Sequence, residues 1–252
     1  MNPALAKEIE AGGWMYPWQL GGAELALLNP ELQGIHLTRE ELIELPVRQA
    51  LAASDAPTAV DLACNEGWFA HRLLEWGAAR AIGLDVRAEN IRRAVLVRDH
   101  LGVPAEKLTL RQEDLFAVDT AALGRFDVVL LLGLIYHVED PVGALRRACA
   151  LTGRLCAIDT QLTRHDAPIG HTWGTAQTLE YDEASFAARL EWDAEMSRVA
   201  SSGGAMSLIP NRAAVELSLR AAGFSRTEWP APQPHHDAQY RHGDRAVVLA
   251  FP

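Results

Sequence analysis

Cysteine is scarce in this chain, long apolar runs are absent, and so are the glycine signatures that cradle nucleotide phosphates. The three cysteines are Cys64, Cys149 and Cys156. An odd number with no Cys-x-x-Cys pair fits neither a disulfide framework nor a zinc site. The longest apolar run, near Val128 to Ile135, falls far short of the roughly 20 residues that a membrane span needs. Lys7, Glu8 and Glu10 stand where a secretory signal would be apolar. These features predict a cytoplasmic protein with no membrane partner. Neither G-x-G-x-x-G nor G-x-x-x-x-G-K-[ST] occurs, which disfavours a nicotinamide dehydrogenase and a phosphate-loop enzyme. Positive charge is also short: 23 Lys and Arg face 33 Asp and Glu, a formal charge of −10. That excess of acid repels phosphate backbones, so a nucleic-acid substrate would need a local basic patch.

What is present is an ordinary globular composition of 252 residues, 49% hydrophobic and 22% charged, enough for one large core. No internal repeat or low-complexity tract interrupts it. Residues 1–50 read as an amino-terminal arm with Trp14, Tyr16 and Trp18 as aromatic anchors. Residues 51–252 read as one domain carrying a substrate-side insertion at about 160–210.

From residue 58 the pattern turns regular. Apolar runs at 58–63, 80–86, 107–112, 126–132 and 155–159 suit strands, the fourth lying centrally. Helical spacing at 67–76, 90–101 and 141–150 separates them. After an irregular stretch, Asn211 caps a helix that Gly223 ends, and 224–229 and 245–251 read as closing strands, an antiparallel pair. Strands alternating with helices predict a mostly parallel sheet covered on both faces. The stretch from Thr160 to Pro210 is longer than a normal connection and reads as a lid or binding loop.

In such a sheet, ligands bind outside the carboxyl ends of the strands, where strand order reverses. The first strand leaves through Val60-Asp61-Leu62-Ala63-Cys64-Asn65-Glu66-Gly67. Gly67 permits close backbone approach, while Asp61 and Glu66 suit a cationic ligand better than a pyrophosphate. The second strand ends at Asp85, placed for ribose hydroxyls. The third leads into Glu113-Asp114-Leu115-Phe116, a carboxylate for an exocyclic amine beside an apolar flank for a purine. The fourth exits through Gly133-Leu134-Ile135-Tyr136-His137, which offers Tyr136 and His137 to the same cleft. Each of these has a plainer explanation as a cap or a packing residue, Cys64 above all. Their order, each at a strand exit, is what points to one ligand.

At this point the chain resembles the class I S-adenosylmethionine (SAM)-dependent methyltransferases. Val60 to Gly67 is similar to their first motif, D-x-G-x-G-x-G, with Ala63 and Asn65 at two glycine places. Leu84-Asp85, Glu113-Asp114-Leu115 and the run from Leu132 to Pro141 resemble the motifs that follow. Ala63 keeps the loop geometry if its φ is negative, and Asn65 is at home with positive φ. The resemblance covers residues 50–159, more weakly 211–223. Gly133 to His137 and Ser207 to Asn211 are similar to the group of the tRNA wobble-uridine carboxymethyltransferases.

The resemblance implies a Rossmann-like, doubly wound sheet of seven strands with an antiparallel edge hairpin and a lid insertion. It implies SAM as cofactor and S-adenosylhomocysteine (SAH) as product. Ala63, Cys64, Asn65 and Gly67 would surround the methionine part, with Asp61 near its amino group and Gly133 at the fourth strand's exit. Asp85 would hold the ribose, and Asp114 with Leu115 the adenine. His137, with Tyr136, is the candidate beside the transferring methyl, either as a base or as a group ordering the cofactor. Trp14, Trp18, His165, His171 and Trp173 are candidates for the acceptor pocket. The tail holds His235, His236, Asp237, His242 and Asp244, metal-ligand types whose spacing reads as a solvated turn, so no metal is expected. The acceptor is expected to be a small molecule, methylated on oxygen or nitrogen. A tRNA-modifying enzyme and a non-catalytic SAM-binding module are the alternatives. Monomer and homodimer both stay open.

Overall fold

The computed structural model describes residues 2–164, 184–190 and 206–252. Five strands run parallel: Thr58–Leu62 (β1), Arg80–Asp85 (β2), Leu108–Gln112 (β3), Phe126–Leu132 (β4) and Thr152–Gln161 (β5). The apolar centres of β1 and β4 are buried on both faces, as continuous rather than alternating hydrophobic runs require. Val60 sits opposite Ile82 on one side and Val129 on the other.

Helices cover both faces. On one lie Pro3–Ala11 (α1), Gln33–Ala52 (α2), Trp68–Glu75 (α3) and Ala88–His100 (α4), joined through Leu5, Ile43, Val47, Phe69, Leu73 and Val97. After the short Thr120–Leu123 helix (α5), Pro141–Leu151 (α6) covers the other face. The missing N–H of Pro141 costs nothing at the first turn, and the Asp140 side chain accepts from the Gly143 N–H at 2.7 Å. The two hairpin strands Phe186–Leu190 (β6) and Met206–Pro210 (β7) form a separate antiparallel pair. The Asn211 side chain then accepts from the Ala214 N–H and caps Arg212–Ala222 (α7), which packs beside α6 through Val215 and Leu219. Arg226–Glu228 (β8), the short Ala238–Arg241 helix (α8) and Arg245–Phe251 (β9) follow.

The sheet order is β3-β2-β1-β4-β5-β9-β8, with β9 antiparallel to both neighbours. The expected seven-stranded fold is therefore present, and strand order reverses between β1 and β4. Three features differ from the sequence reading. Strand β5 starts at Thr152 and runs to Gln161, longer than the 155–159 expected, because β9 pairs along its outer half. The 160–210 stretch, read as irregular, contains β6 and β7. Their short runs, Phe-Ala-Ala-Arg-Leu and Met-Ser-Leu-Ile-Pro, carry almost no β-branched residues, so local propensity was silent. The third is a boundary: α2 begins within the arm, packs against β4, β5 and β9, and runs past position 50 to Ala52. No helix among the described residues is long and apolar enough to cross a membrane.

Candidate functional site

A cavity of about 460 Å³ opens at the carboxyl ends of β1, β2, β3 and β4, where strand order reverses. Its floor on one side is the loop after β1. Ala63 takes φ 64°, Asn65 φ 50° and Gly67 φ 81°. The left-handed conformation of the glycine motif is thus kept without glycine at two of its places. The condition of a negative φ at Ala63 is not met; the bond from the Cys64 N–H to the Leu84 carbonyl (2.8 Å) and that from the Asn65 N–H to Asp85 (2.9 Å) pin the loop around it. Gly67 starts α3, and a Cβ there would stand 3.1 Å from the Ala94 Cβ on α4.

Asp85 organises this end. One carboxylate oxygen accepts from the Asn65 N–H; the other accepts from the Arg87 N–H at 2.8 Å and the Asn90 side chain at 3.1 Å. Burial still raises its pKa. Next to it, burial first and the charge of Asp85 second push the Asp61 carboxyl up to about 7. A cation arriving here would relieve both. Asp114 is exposed, and its side chain accepts from the Phe116 N–H at 2.9 Å, which turns Leu115 and Phe116 against the cavity.

The opposite end is built differently. After β4, Gly133 (φ 75°) leads into a single 3-10 turn, Ile135–His137, that presents Tyr136 and His137. The two rings lie 4.2 Å apart and are both buried. Behind them Asp159, on β5, is fully buried between two guanidiniums. Arg39 and Arg245 each donate to the same oxygen at 2.7 Å, and the Tyr240 hydroxyl donates to the other at 2.5 Å. Burial alone would raise the Asp159 pKa; Arg39 and Arg245, with the tyrosine, hold it below the usual carboxylate range. Arg245 also donates to the Tyr136 hydroxyl at 3.1 Å and fixes that ring. Two guanidiniums against one carboxylate leave this end of the cavity net positive.

The arm closes the remaining side. Met15 donates its N–H to both Glu66 oxygens at 3.1 Å, and Arg93 ties Glu66 to the Gly12 and Gly13 carbonyls and to Glu8. Burial outweighs these donors and pushes Glu66 up to about 7. Tyr16 lines the cavity, stacked on Trp68 at 5.6 Å and 4.6 Å from the His36 ring.

Of the residues singled out from sequence, Ala63, Asn65, Asp85, Asp114, Leu115, Gly133, Tyr136 and His137 line this one cavity. Asp61, Cys64 and Gly67 stand behind its wall; the Cys64 thiol packs against Gly83, where a Cβ would meet its sulfur at 2.9 Å. Trp14 and Trp18 turn into the core, Trp14 under Arg93 and Trp18 edge-on to Trp68, while Met15 and Tyr16 between them face the cavity. His165, His171 and Trp173 lie outside the described residues. Sequence reasoning missed His36 and Arg39 on α2, Asp159 on β5, Arg189 on β6 and Arg245 on β9. No motif marks them, and only the fold brings them together.

In the tail, His235 and His236 both reach one Glu41 oxygen, at 2.8 and 3.0 Å. These three are the metal-type cluster found among the described residues. The Gln233 N–H donates to the His236 Nδ1, so the proton sits on Nε2, which donates to Glu41.

Comparison with known proteins bears on the family and the fold. Residues 35–228 match the methyltransferase-domain family. The chain is 31% identical over 143 residues to a tRNA U34 carboxymethyltransferase of Campylobacter jejuni, covering 57% of this chain and 44% of that protein. It is 37% identical over 93 residues to a ubiquinone biosynthesis O-methyltransferase of Methylobacterium sp., covering 37% of this chain and 35% of that one. The matches thus span less than half the length of these curated relatives. Among solved structures, the N-terminal domain of EvdMO1 with SAH bound has the same fold, with a TM-score of 0.72 at 22% identity over 98% of this chain and 95% of that one. With strand order, motif loop and family match in accord, the chain belongs to the methyltransferase-domain family, the class I SAM-dependent methyltransferases.

Proposed function

We propose that this protein transfers a methyl group from SAM to a small hydroxylated molecule. The observation that carries the reading is the continuity of the cavity, from the carboxylates of Asp85 and Asp114 to Tyr136, His137 and His36. The acid end fits the cofactor: two raised carboxyls, Asp61 and Asp85, favour a nearby positive charge, and the left-handed loop leaves room beside them. Asp85 and Asp114 would hold the ribose and the adenine, with Leu115 against the ring. When bound, SAM supplies a methyl carbon on a sulfonium, displaced in line as a neutral thioether.

The protein's share is alignment and proton removal. Holding the two reactants in line is worth roughly 7–11 kcal/mol in favourable cases, and a base adds about 10²–10⁴-fold. His137, buried at the exit of β4, takes the acceptor proton in this reading, with Tyr136 held beside it by Arg245. Support for a small acceptor comes from the enclosing arm, the formal charge of −10 and a structural neighbour, EvdMO1, whose N-terminal domain was solved with SAH and D-fucose.

The similarity to tRNA U34 carboxymethyltransferases favours RNA as a second reading. Incubation with methyl-labelled SAM separates the two. The panel is free hexoses including D-fucose, catechol, primary amines and bulk tRNA. Label in a hexose or in catechol is the expected result. Label in tRNA alone, falling steeply as salt rises, overturns the proposal.

A further inference from the structure

His36 lines the cavity beside Tyr16 and Arg39. It lies on α2, 7% exposed, one helical turn before Arg39, and its ring is 4.6 Å from that of Tyr16. Both ring nitrogens are buried, and neither has a hydrogen-bond partner among the described residues. Other buried polar groups at this end, Asp159, Arg245 and Tyr240, are tied to one another. Burying an imidazole with both nitrogens idle is costly, and such a group in a native cavity wall calls for a partner.

We propose that His36 recognises the methyl acceptor, hydrogen-bonding one of its hydroxyl groups and so fixing which hydroxyl meets the cofactor. The proposal rests on the small-acceptor reading above. The surroundings of the ring define the chemistry. Burial, then the Arg39 charge, hold the His36 pKa down to about 3, with Asp159 opposing. The ring is therefore neutral at physiological pH, with one donor and one acceptor. An ammonium group would meet repulsion from Arg39 and Arg245, and a carboxylate would pair with those guanidiniums and leave the imidazole idle. A hydroxyl both donates and accepts, and it fits a neutral ring between charged neighbours. So weak a base contributes little to proton removal near pH 7. His36 orients; it does not deprotonate.

The test uses the same hexose, catechol, amine and tRNA panel, with SAH affinity measured by calorimetry in parallel. For a hexose or catechol that the wild type methylates, His36→Phe is expected to raise KM about tenfold or more, the size of one hydrogen bond lost in a dry site. SAH affinity stays within about threefold, and His36→Gln, which restores a donor and an acceptor, recovers most of the KM. If the phenylalanine variant does not fold, His36→Ala carries the same comparison. An unchanged KM in His36→Phe, or an SAH affinity that falls in step with it, overturns the assignment and leaves the small-acceptor reading standing. Turnover of amines or tRNA with no hydroxylated compound, or no turnover of any panel member, removes both.

Discussion

At the acid end of the cavity, the site is made of backbone: Ala63, Asn65 and Gly67, three positions within five residues, all left-handed and pinned to Leu84 and Asp85. At the arginine end, the site is made of side chains from distant parts of the chain. Arg39 and Arg245 meet at Asp159 across separations of 120 and 86 residues. A backbone loop can absorb substitutions that keep its φ values, which is how alanine and asparagine stand at glycine places. A buried ion network has no such tolerance, because removing one member strands the others.

That contrast can be broken by experiment. Asp159→Asn is expected to have the largest effect, a loss of about 3–5 kcal/mol in urea unfolding, because it leaves two buried guanidiniums with no anion between them. A loss below about 1 kcal/mol would mean that the two ends do not differ in this way. Asp85→Ala comes next: SAH affinity by calorimetry should fall about 10–100-fold, as the Asn65 and Arg87 N–H groups lose their acceptor and, under the proposed function, the ribose loses its partner. Unfolding should change less than in Asp159→Asn; the reverse order would make Asp85 a structural residue. Gly67→Ala follows, with about 1–2 kcal/mol of stability lost for a side chain at φ 81° facing the Ala94 methyl. Asn65→Gly, which keeps the left-handed conformation available, should cost less still, and a larger loss would show that the asparagine side chain matters.

The difference between the ends also explains what could be read beforehand. The acid end follows chain order, one strand exit after another, so Asp85, Asp114, Leu115 and Gly133 were visible as a series. Trp14 and Trp18 were misleading because aromatic residues in an arm look alike whether they face a ligand or the core. Met15 and Tyr16 line the cavity while Trp14 and Trp18 turn inward, a pattern with no strand or helix period, so nothing local reveals which side is which. His36 and Arg39 share one face of a helix with an unremarkable pattern. Their role depends on where β5 and β9 lie beneath them.

The sequence by itself determined the alternation of buried strands and capped helices, hence the parallel sheet, its switch point and the carboxylates at successive exits. These depend on periodicity and on contacts a few residues apart. Only the tertiary structure decided the other wall of the cavity, where α2, β5 and β9 converge, since β9 enters antiparallel beside β5 and carries Arg245 to Asp159. Charges that pair across a hundred residues leave no local trace, because the low-dielectric setting that makes their pairing matter exists only once the sheet has closed over them.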